Sequence, residues 1–181
     1  MKINIGSGRK KLYGWTNIDQ SPEVYPELFM DVTKEFNFPE NSLDFVYNEH
    51  FIEHIYYEDA VNLCTKIYAS LKPNGVLRVA TPDLDFLCER YLSDWDNQDW
   101  LKTQPEISNR CLMLNNIFYG WGHRFLYNEQ QLSNLFVSCG FSDISKCELG
   151  QSKYEELRNL ETRLDSKLVM EAKKVLKKCL I

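Results

Sequence analysis

The sequence contains six cysteines but no C-x-x-C pair. Scattered single cysteines give no zinc-binding or redox motif, and they predict reduced, partly buried thiols. The sequence also lacks an apolar run long enough to cross a bilayer and a signal-peptide pattern. It has no basic stripe of the kind that binds nucleic acid. These absences predict a cytoplasmic protein that neither crosses a membrane nor binds nucleic acid.

The length and composition predict a single domain over residues 1–181. The chain has 181 residues, of which 44% are hydrophobic. That is enough for one well-buried core and too little for two comfortable ones. The formal net charge of -5 is mild. The basic, amphipathic end over residues 173–181 is predicted to be solvated rather than bound to a membrane surface.

The first residues have the layout of a nucleotide-binding loop. An apolar strand, Lys2–Ile5, is followed by Gly6-Ser7-Gly8, and a second strand ends at Asp19. The two glycines permit a sharp turn that exposes backbone N–H groups, and Asp19 can accept hydrogen bonds from a ribose diol. Two glycines alone also fit a plain turn. A nicotinamide dinucleotide fold is disfavoured because it expects a third glycine that opens a full helix.

Hydrophobic periodicity predicts alternating strands and helices, and hence a parallel sheet of the α/β class. Asp83 and the pair Asn128 and Gln131 have the positions of helix N-caps, and Gly140 has that of a helix end. We predict strands over residues 2–5, 16–18, 27–32, 43–48, 76–81, 141–149 and 167–172, and helices over residues 57–71, 84–93, 129–139 and 154–164.

The stretch His50-Phe51-Ile52-Glu53-His54 matches the H-x-x-E-H pattern of inverted zinc proteases. That motif needs a helix and a third ligand, so no metal is expected. Two interpretations stay open. His50 and His54 act as acid or base groups, or Glu53 and His54 only hold the loop after the fourth strand by hydrogen bonds.

Residues 94–126 lose clear periodicity but are rich in aromatic side chains. Long irregular stretches inside compact domains are usually functional, and the aromatic content argues against disorder. We predict a lid over an acceptor site, with Trp95, Trp100, Tyr119 and Trp121 offering faces for stacking. His123 is a candidate base. The alternative is that these aromatic residues only complete the core.

Several segments together resemble the small class I S-adenosylmethionine-dependent methyltransferases of the methyltransferase-11 type. The segments are INIGSG, GWTNID, FPENSLDFVYNEHFIEH, SLKPNGVLRVATPD and GHRFLYNEQQLSNLFVSCGF. The resemblance implies a Rossmann-like, doubly wound, mostly parallel seven-stranded sheet with an antiparallel last strand. It implies S-adenosyl-L-methionine as cofactor and methyl transfer to a small-molecule or glycan-like acceptor.

The resemblance also implies roles for individual residues. Gly6, Ser7 and Gly8 would face the methionine portion of the cofactor, and Asp19 would hold the ribose. Asp31 with Val32 would lie near the adenine. Asn48 and Glu49, after the fourth strand, would line the methionine side.

Two departures from the family pattern are visible. Lys10 stands where the third glycine is usual, and the short distance to Asp19 leaves room for a first helix of a turn or two at most. The chain begins at the first strand, so the cover that N-terminal helices provide is expected from the lid, a homodimer or a protein partner. A non-catalytic cofactor-binding or partner module is therefore the second hypothesis, and an H-x-x-E-H zinc hydrolase is the third.

Overall fold

The computed structural model describes residues 1–175, and Cys179 with most of the basic end lies outside the described residues. Within residues 1–175 the chain forms seven strands and four α-helices. The strands are β1 (Lys2–Ile5), β2 (Thr16–Asp19), β3 (Leu28–Phe29), β4 (Leu43–Glu49), β5 (Leu71–Thr81), β6 (Ser142–Cys147) and β7 (Leu168–Lys173). The α-helices are α1 (Tyr57–Ser70), α2 (Leu84–Leu92), α3 (Arg110–Asn115) and α4 (Glu129–Ser138).

The strands form one mixed sheet in the order β3-β2-β1-β4-β5-β7-β6. The pairs among β1 to β5 are parallel, whereas β7 lies between β5 and β6 and is antiparallel to both. This arrangement confirms the predicted fold class, including the antiparallel last strand.

The predicted helix ends are confirmed. The Asp83 side chain accepts a hydrogen bond from the amide of Asp85 and caps α2, and the Asn128 side chain accepts from the Gln131 amide and caps α4. Gly140 follows α4 with a φ of +98°, a conformation that glycine adopts at little cost. Short polar side chains at these positions replace the missing intrahelical partners of the first amides.

The third and fifth strands differ most in extent from their predictions. The third strand is limited to Leu28–Phe29 rather than residues 27–32. The fifth begins earlier, because Leu71 pairs with Leu43 before the register shifts to Val76 opposite Phe45. The residues between Leu71 and Val76 include Asn74, whose φ is +68°, so the chain turns within this irregular part of β5.

The predicted helix over residues 154–164 is wrong. Within it the structure has only a 3-10 turn, Glu155–Leu157. The amides of Thr162 and Arg163 donate to the carboxylate of Glu49, and Glu161 is drawn to Arg78. These tertiary contacts use the backbone amides that would otherwise donate hydrogen bonds within a helix. They override the helical periodicity of the sequence.

The main core lies between one face of the sheet and helices α1 and α4. Ile3, Ile5 and Leu77 of the sheet are at most 1% exposed. They belong to one apolar cluster with residues of both helices, including Ile67 and Phe136. A second apolar cluster joins α2 and α3 to the segment that follows them. Among the described residues, no helix is long and apolar enough to cross a membrane.

The opposite face of the sheet carries a row of polar residues across four strands. The pairing places Asn4 beside Tyr47, Tyr47 beside Arg78 and Arg78 beside Glu171. Arg78 is 0% exposed. Its Nε lies 2.7 Å from Glu161 and its Nη1 lies 2.6 Å from Glu171. One buried guanidinium therefore holds the segment after β6 against the sheet.

We predict that Arg78→Met lowers the free energy of unfolding by about 3–5 kcal/mol, because it leaves two glutamates buried without a cation. Urea unfolding monitored by circular dichroism measures this change. Lys102→Ala is the control, since it breaks only an exposed pair with Asp99 and should leave stability nearly unchanged. Equal, small effects of both variants would contradict a structural role for the Arg78 ion pairs.

Candidate active site

The carboxyl ends of β1, β2 and β4 meet at one edge of the sheet. Ile5 of β1 pairs with Ile18 of β2 and with Asn48 of β4. Because these strands are parallel, the loops that leave them begin side by side. Two cavities open at this edge, and His50 and His54 line both of them.

Gly6 lets the loop after β1 turn beneath the side chain of Phe51. Its φ is +64°, and a Cβ at this position would stand 2.7 Å from the Phe51 ring, so another residue would be both strained and in collision. The Ser7 amide donates to the backbone of β2 at 3.1 Å. The Gly8 amide donates to Oδ2 of Asp19 at 2.9 Å. The structure thus brings the predicted glycine loop and Asp19 together.

The smaller cavity is a cleft of about 370 Å³ beside this loop. Gly6, Asp19 and Asp31 line it together with the apolar side chains of Met30 and Val32. Carboxylates accept hydrogen bonds from hydroxyl and amino groups, and apolar side chains favour a flat ring. The cleft therefore suits a ligand that combines a diol with a ring system.

Asp31 is kept ionised by its neighbours. Oδ2 lies 2.9 Å from the Lys34 ammonium, and Oδ1 accepts from the Thr33 hydroxyl at 2.6 Å. These hydrogen bonds, that of Lys34 foremost, hold the pKa of Asp31 below its usual value. Asp31 is therefore a hydrogen-bond acceptor near neutral pH.

Asn48 and Glu49 occupy different environments at the end of β4. Asn48 is 4% exposed, and its Oδ1 is buried without a hydrogen-bond partner. The Glu49 carboxylate accepts hydrogen bonds at 2.8–3.1 Å from Thr162, Arg163 and Ser166. The cofactor contact of Glu49 stays a prediction, whereas the observed contacts give this carboxylate a role in holding residues 162–166.

The larger cavity measures about 660 Å³ and is bounded by the lid segment. Its walls combine aromatic and charged side chains. These include Phe86, Trp100, Trp121, Asp83, Asp99, Arg163, Asp165 and Lys167. The cavity can therefore contact an apolar ring surface and polar groups of either charge.

The structure brings together only part of the predicted aromatic set. Trp100 and Trp121 face this cavity, with ring centroids 5.0 Å apart at an interplanar angle of 77°. Trp95 instead packs in the cluster between α2 and α3, and Tyr119 is 75% exposed. The first pair forms a wall of the cavity, and the contacts predicted for Trp95 and Tyr119 stay predictions.

His50 is held by contacts to both ring nitrogens. Its side chain is 5% exposed, with Nδ1 3.2 Å from Oε1 of Glu53 and Nε2 3.1 Å from the Ser166 hydroxyl. Burial alone would raise the pKa of Glu53, but the contacts with His50 hold it below its usual value. Glu53 is therefore an ionised carboxylate in the interior.

His123 lies beside His54 although the two are distant in the chain. Their ring centroids are 4.8 Å apart. Nδ1 of His123 lies 2.5 Å from the carbonyl oxygen of Ile117, so Nδ1 carries the hydrogen and Nε2 is left as an acceptor. Burial lowers the pKa of His123, and the charge of Glu53 offsets only part of that effect. His123 is therefore neutral near neutral pH.

The H-x-x-E-H stretch is not helical. Ile52–His54 forms a single 3-10 turn, and His50 precedes it with a φ of +48°. The zinc-protease motif requires both histidines on one face of a helix, so the scaffold that the third hypothesis needs is not built. The turn instead places His54 next to His123.

Several residues of the site were not predicted from the sequence. Phe51 stood inside the H-x-x-E-H stretch without a role of its own, and Phe86 lay in a predicted helix with no catalytic signal. Arg163 and Lys167 lay in a region predicted as a helix and a strand. Glu53 was predicted, but only as a loop contact or part of a zinc motif. Its 0% exposure is the feature that could not be read from the pattern, because burial of a lone acid depends on tertiary packing.

Comparison with protein families finds that the family model described as a methyltransferase domain matches residues 9–146. This match covers more than half of the chain. Among curated proteins, none matches the chain.

Several solved structures share the fold. An S-adenosylmethionine-dependent methyltransferase from Archaeoglobus fulgidus has a TM-score of 0.60 and 15% identity, with 96% of this chain and 85% of that one covered. One from Methanosarcina mazei has a TM-score of 0.56 and 18% identity, with coverage of 97% and 92%. A Haloferax volcanii methyltransferase in complex with the Trm112 activator has a TM-score of 0.55 and 12% identity, with coverage of 97% and 82%.

At these identities the structures establish similarity of fold, and the family model establishes the family. The family match begins at residue 9, directly after the glycine loop, and it includes Asp19 and Asp31. The chain belongs to the methyltransferase domain family, and it shares the fold of solved S-adenosylmethionine-dependent methyltransferases.

Proposed function

We propose that the smaller cleft binds the methyl donor and that the larger cavity binds a small-molecule or glycan-like acceptor. The observation that carries this proposal is that His50 and His54 line both cavities. A group bound in one cavity can therefore meet a group bound in the other beside these two rings. Methyl transfer requires that kind of in-line approach of donor and acceptor.

The residues of the cleft fit S-adenosylmethionine. Asp19 can accept from the ribose hydroxyls, and Asp31 with Val32 offers an acceptor and an apolar contact for adenine. Two polar atoms near the glycine loop and the end of β4, Oγ of Ser7 and Oδ1 of Asn48, are buried without a partner. An unpaired buried acceptor is unfavourable, so a ligand ammonium group at the end of β4 would stabilise Asn48.

When bound, S-adenosylmethionine supplies an electrophilic methyl group on a sulfonium. The protein then needs to align the acceptor and to remove its proton where it has one. Among the three candidate histidines, His123 suits this step best, because it is neutral and its Nε2 is free of the contact that holds Nδ1. His50 is held at both nitrogens, which favours a positioning role for it.

The lid segment, residues 94–126, supplies much of the wall for the acceptor. Trp100 and Trp121 meet edge to face, and such a corner can stack on a sugar ring or another flat apolar surface. Asp83, Asp99 and Lys167 at the same cavity can hydrogen-bond hydroxyl groups. This combination supports a polyhydroxylated or similarly mixed acceptor.

Three further statements stay predictions. They are the single domain over residues 1–181, the cytoplasmic location, and a homodimer or protein partner.

We predict that S-adenosylhomocysteine, the demethylated product, binds and raises the melting temperature, since a ligand of the native state stabilises it by mass action. Asp19→Ala should weaken binding by about 10- to 100-fold, because hydrogen bonds to a charged group contribute about 1.5–3 kcal/mol. Isothermal titration calorimetry measures both. Asp96→Ala, at an exposed acid of the lid, is the control. Absence of heat and of a thermal shift at saturating ligand would refute the donor site.

We also predict that Trp121→Ala and His123→Ala abolish methyl transfer while affinity for S-adenosylhomocysteine stays nearly unchanged. Both side chains face the larger cavity and neither lines the cleft. Transfer of a labelled methyl group to a panel of sugars, phenols and small amines identifies an acceptor for the assay.

Leu92→Ala is the control for this pair, because Leu92 is an apolar residue at 77% exposure and should keep activity. Equal loss of cofactor affinity and transfer, or loss of folding, would mean that Trp121 and His123 are structural and that the acceptor binds elsewhere.

A further inference from the structure

Glu53, His54 and His123 form a compact group at the point where the two cavities meet. One potential ligand atom from each residue lies within 4.8 Å of the other two. Ligand atoms that share an ion at about 2.0–2.2 Å in tetrahedral geometry stand about 3.3 Å apart. The three atoms would therefore have to move closer together to share one ion.

The surroundings orient these side chains as metal ligands are usually oriented. Nδ1 of His123 is directed at the carbonyl oxygen of Ile117 at 2.5 Å, which leaves Nε2 for the ion. The Thr81 hydroxyl donates to Oε2 of Glu53 at 3.0 Å. A ligating histidine whose other nitrogen donates to a carbonyl, and a ligating carboxylate with its own hydrogen bond, are the common outer-shell arrangement.

Among residues 1–175, His50 is the only side chain that forms a salt-bridge contact with the Glu53 carboxylate. This carboxylate is 0% exposed, and no lysine or arginine of residues 1–175 forms a salt bridge with it. Oε1 lies 3.2 Å from Nδ1 of His50, yet it receives no hydrogen bond of adequate geometry. Buried carboxylates are normally paired or coordinate a metal, so this unpartnered oxygen points to a ligand.

Backbone contacts hold the turn and the lid together at this place. The amides of Arg124 and Phe125 donate to the carbonyl of Glu53 at 2.6 and 3.2 Å. His54 and His123, each adjacent to one end of these hydrogen bonds, are thereby kept side by side. Main-chain hydrogen bonds therefore help to hold this group of side chains together. His123 adds a third potential ligand to Glu53 and His54 of the H-x-x-E-H stretch.

We propose that Glu53, His54 and His123 bind one divalent first-row transition-metal ion, such as Zn²⁺, with an open coordination position toward the larger cavity. Two imidazoles and one carboxylate are a ligand set that Zn²⁺ takes in sites with an open position. Imidazole ligands disfavour Mg²⁺ and Ca²⁺. The metal binding does not depend on the acceptor proposed above, but with the ion bound Nε2 of His123 would be a ligand and would not remove a proton. His50 is not assigned as a ligand, because it does not belong to the group whose ligand atoms lie within 4.8 Å of one another.

The test is a titration of the purified full chain with Zn²⁺ after removal of metal by a chelator. We expect one equivalent to bind in competition with a chromogenic chelator. His123→Ala, His54→Ala and the near-isosteric Glu53→Gln should each weaken binding at least about tenfold. His50→Gln is the matched control and should still bind one equivalent.

Substitution with Co²⁺ reports on the ligands without reliance on the variants' stability. We expect visible absorption bands typical of Co²⁺ in a low-symmetry site, and no thiolate-to-metal charge-transfer band. A thiolate band would mean that cysteines bind the ion, and it would overturn the proposal. If His50→Gln loses Zn²⁺ binding while His123→Ala keeps it, the ion would instead be bound by His50 and His54, the two histidines of the H-x-x-E-H stretch. Absence of stoichiometric Zn²⁺ in a sample that binds S-adenosylhomocysteine would refute the metal site and leave the donor site intact.

Discussion

Glu53 connects three parts of the chain that have to meet for the two cavities to share a boundary. Its carboxylate accepts from Thr81 at the end of β5 and lies against His50 after β4, while its carbonyl accepts from the amides of residues 124–125. A buried carboxylate is unfavourable unless its neighbours compensate it. The Glu53 side chain therefore contacts His50, and its backbone carbonyl holds the two residues that follow His123.

A second constraint acts on the opposite face of the sheet. The row that runs through Asn4, Tyr47 and Arg78 is polar at positions where a helix-covered sheet would carry aliphatic side chains. Irregular segments can supply hydrogen-bond partners for these polar side chains, because their own backbone groups and side chains are not used in a helix or strand. Glu161 and the carbonyl of Gln151 do so through Arg78. The same segment then continues past Glu49 into the wall of the larger cavity, so the ion pairs also position that wall.

Most of the fold could be predicted because its signals are local. Each signal can be read from a short stretch of sequence. Examples are the caps at Asp83 and Asn128 and the apolar face of α1, and the order of strands and helices follows from such stretches. The helix predicted over residues 154–164 failed because its apparent periodicity came from Tyr154, Leu157 and Leu160. These residues pack against the sheet from a segment whose only helical part is the 3-10 turn Glu155–Leu157, and no local pattern distinguishes the two cases.

The sequence by itself determined which residues meet at the smaller cleft. The sequence shows a glycine loop after the first strand and an acid near the end of each of the next two. Because these strands are parallel, Gly6, Asp19 and Asp31 come to the same edge of the sheet. Only the tertiary structure decided that His123 meets His54, that Glu53 is buried between them, and that Glu49 is used to hold residues 162–166. These contacts join segments far apart in the chain. Their formation depends on how the lid and the segment after β6 pack on the finished sheet, which neither periodicity nor a short motif encodes.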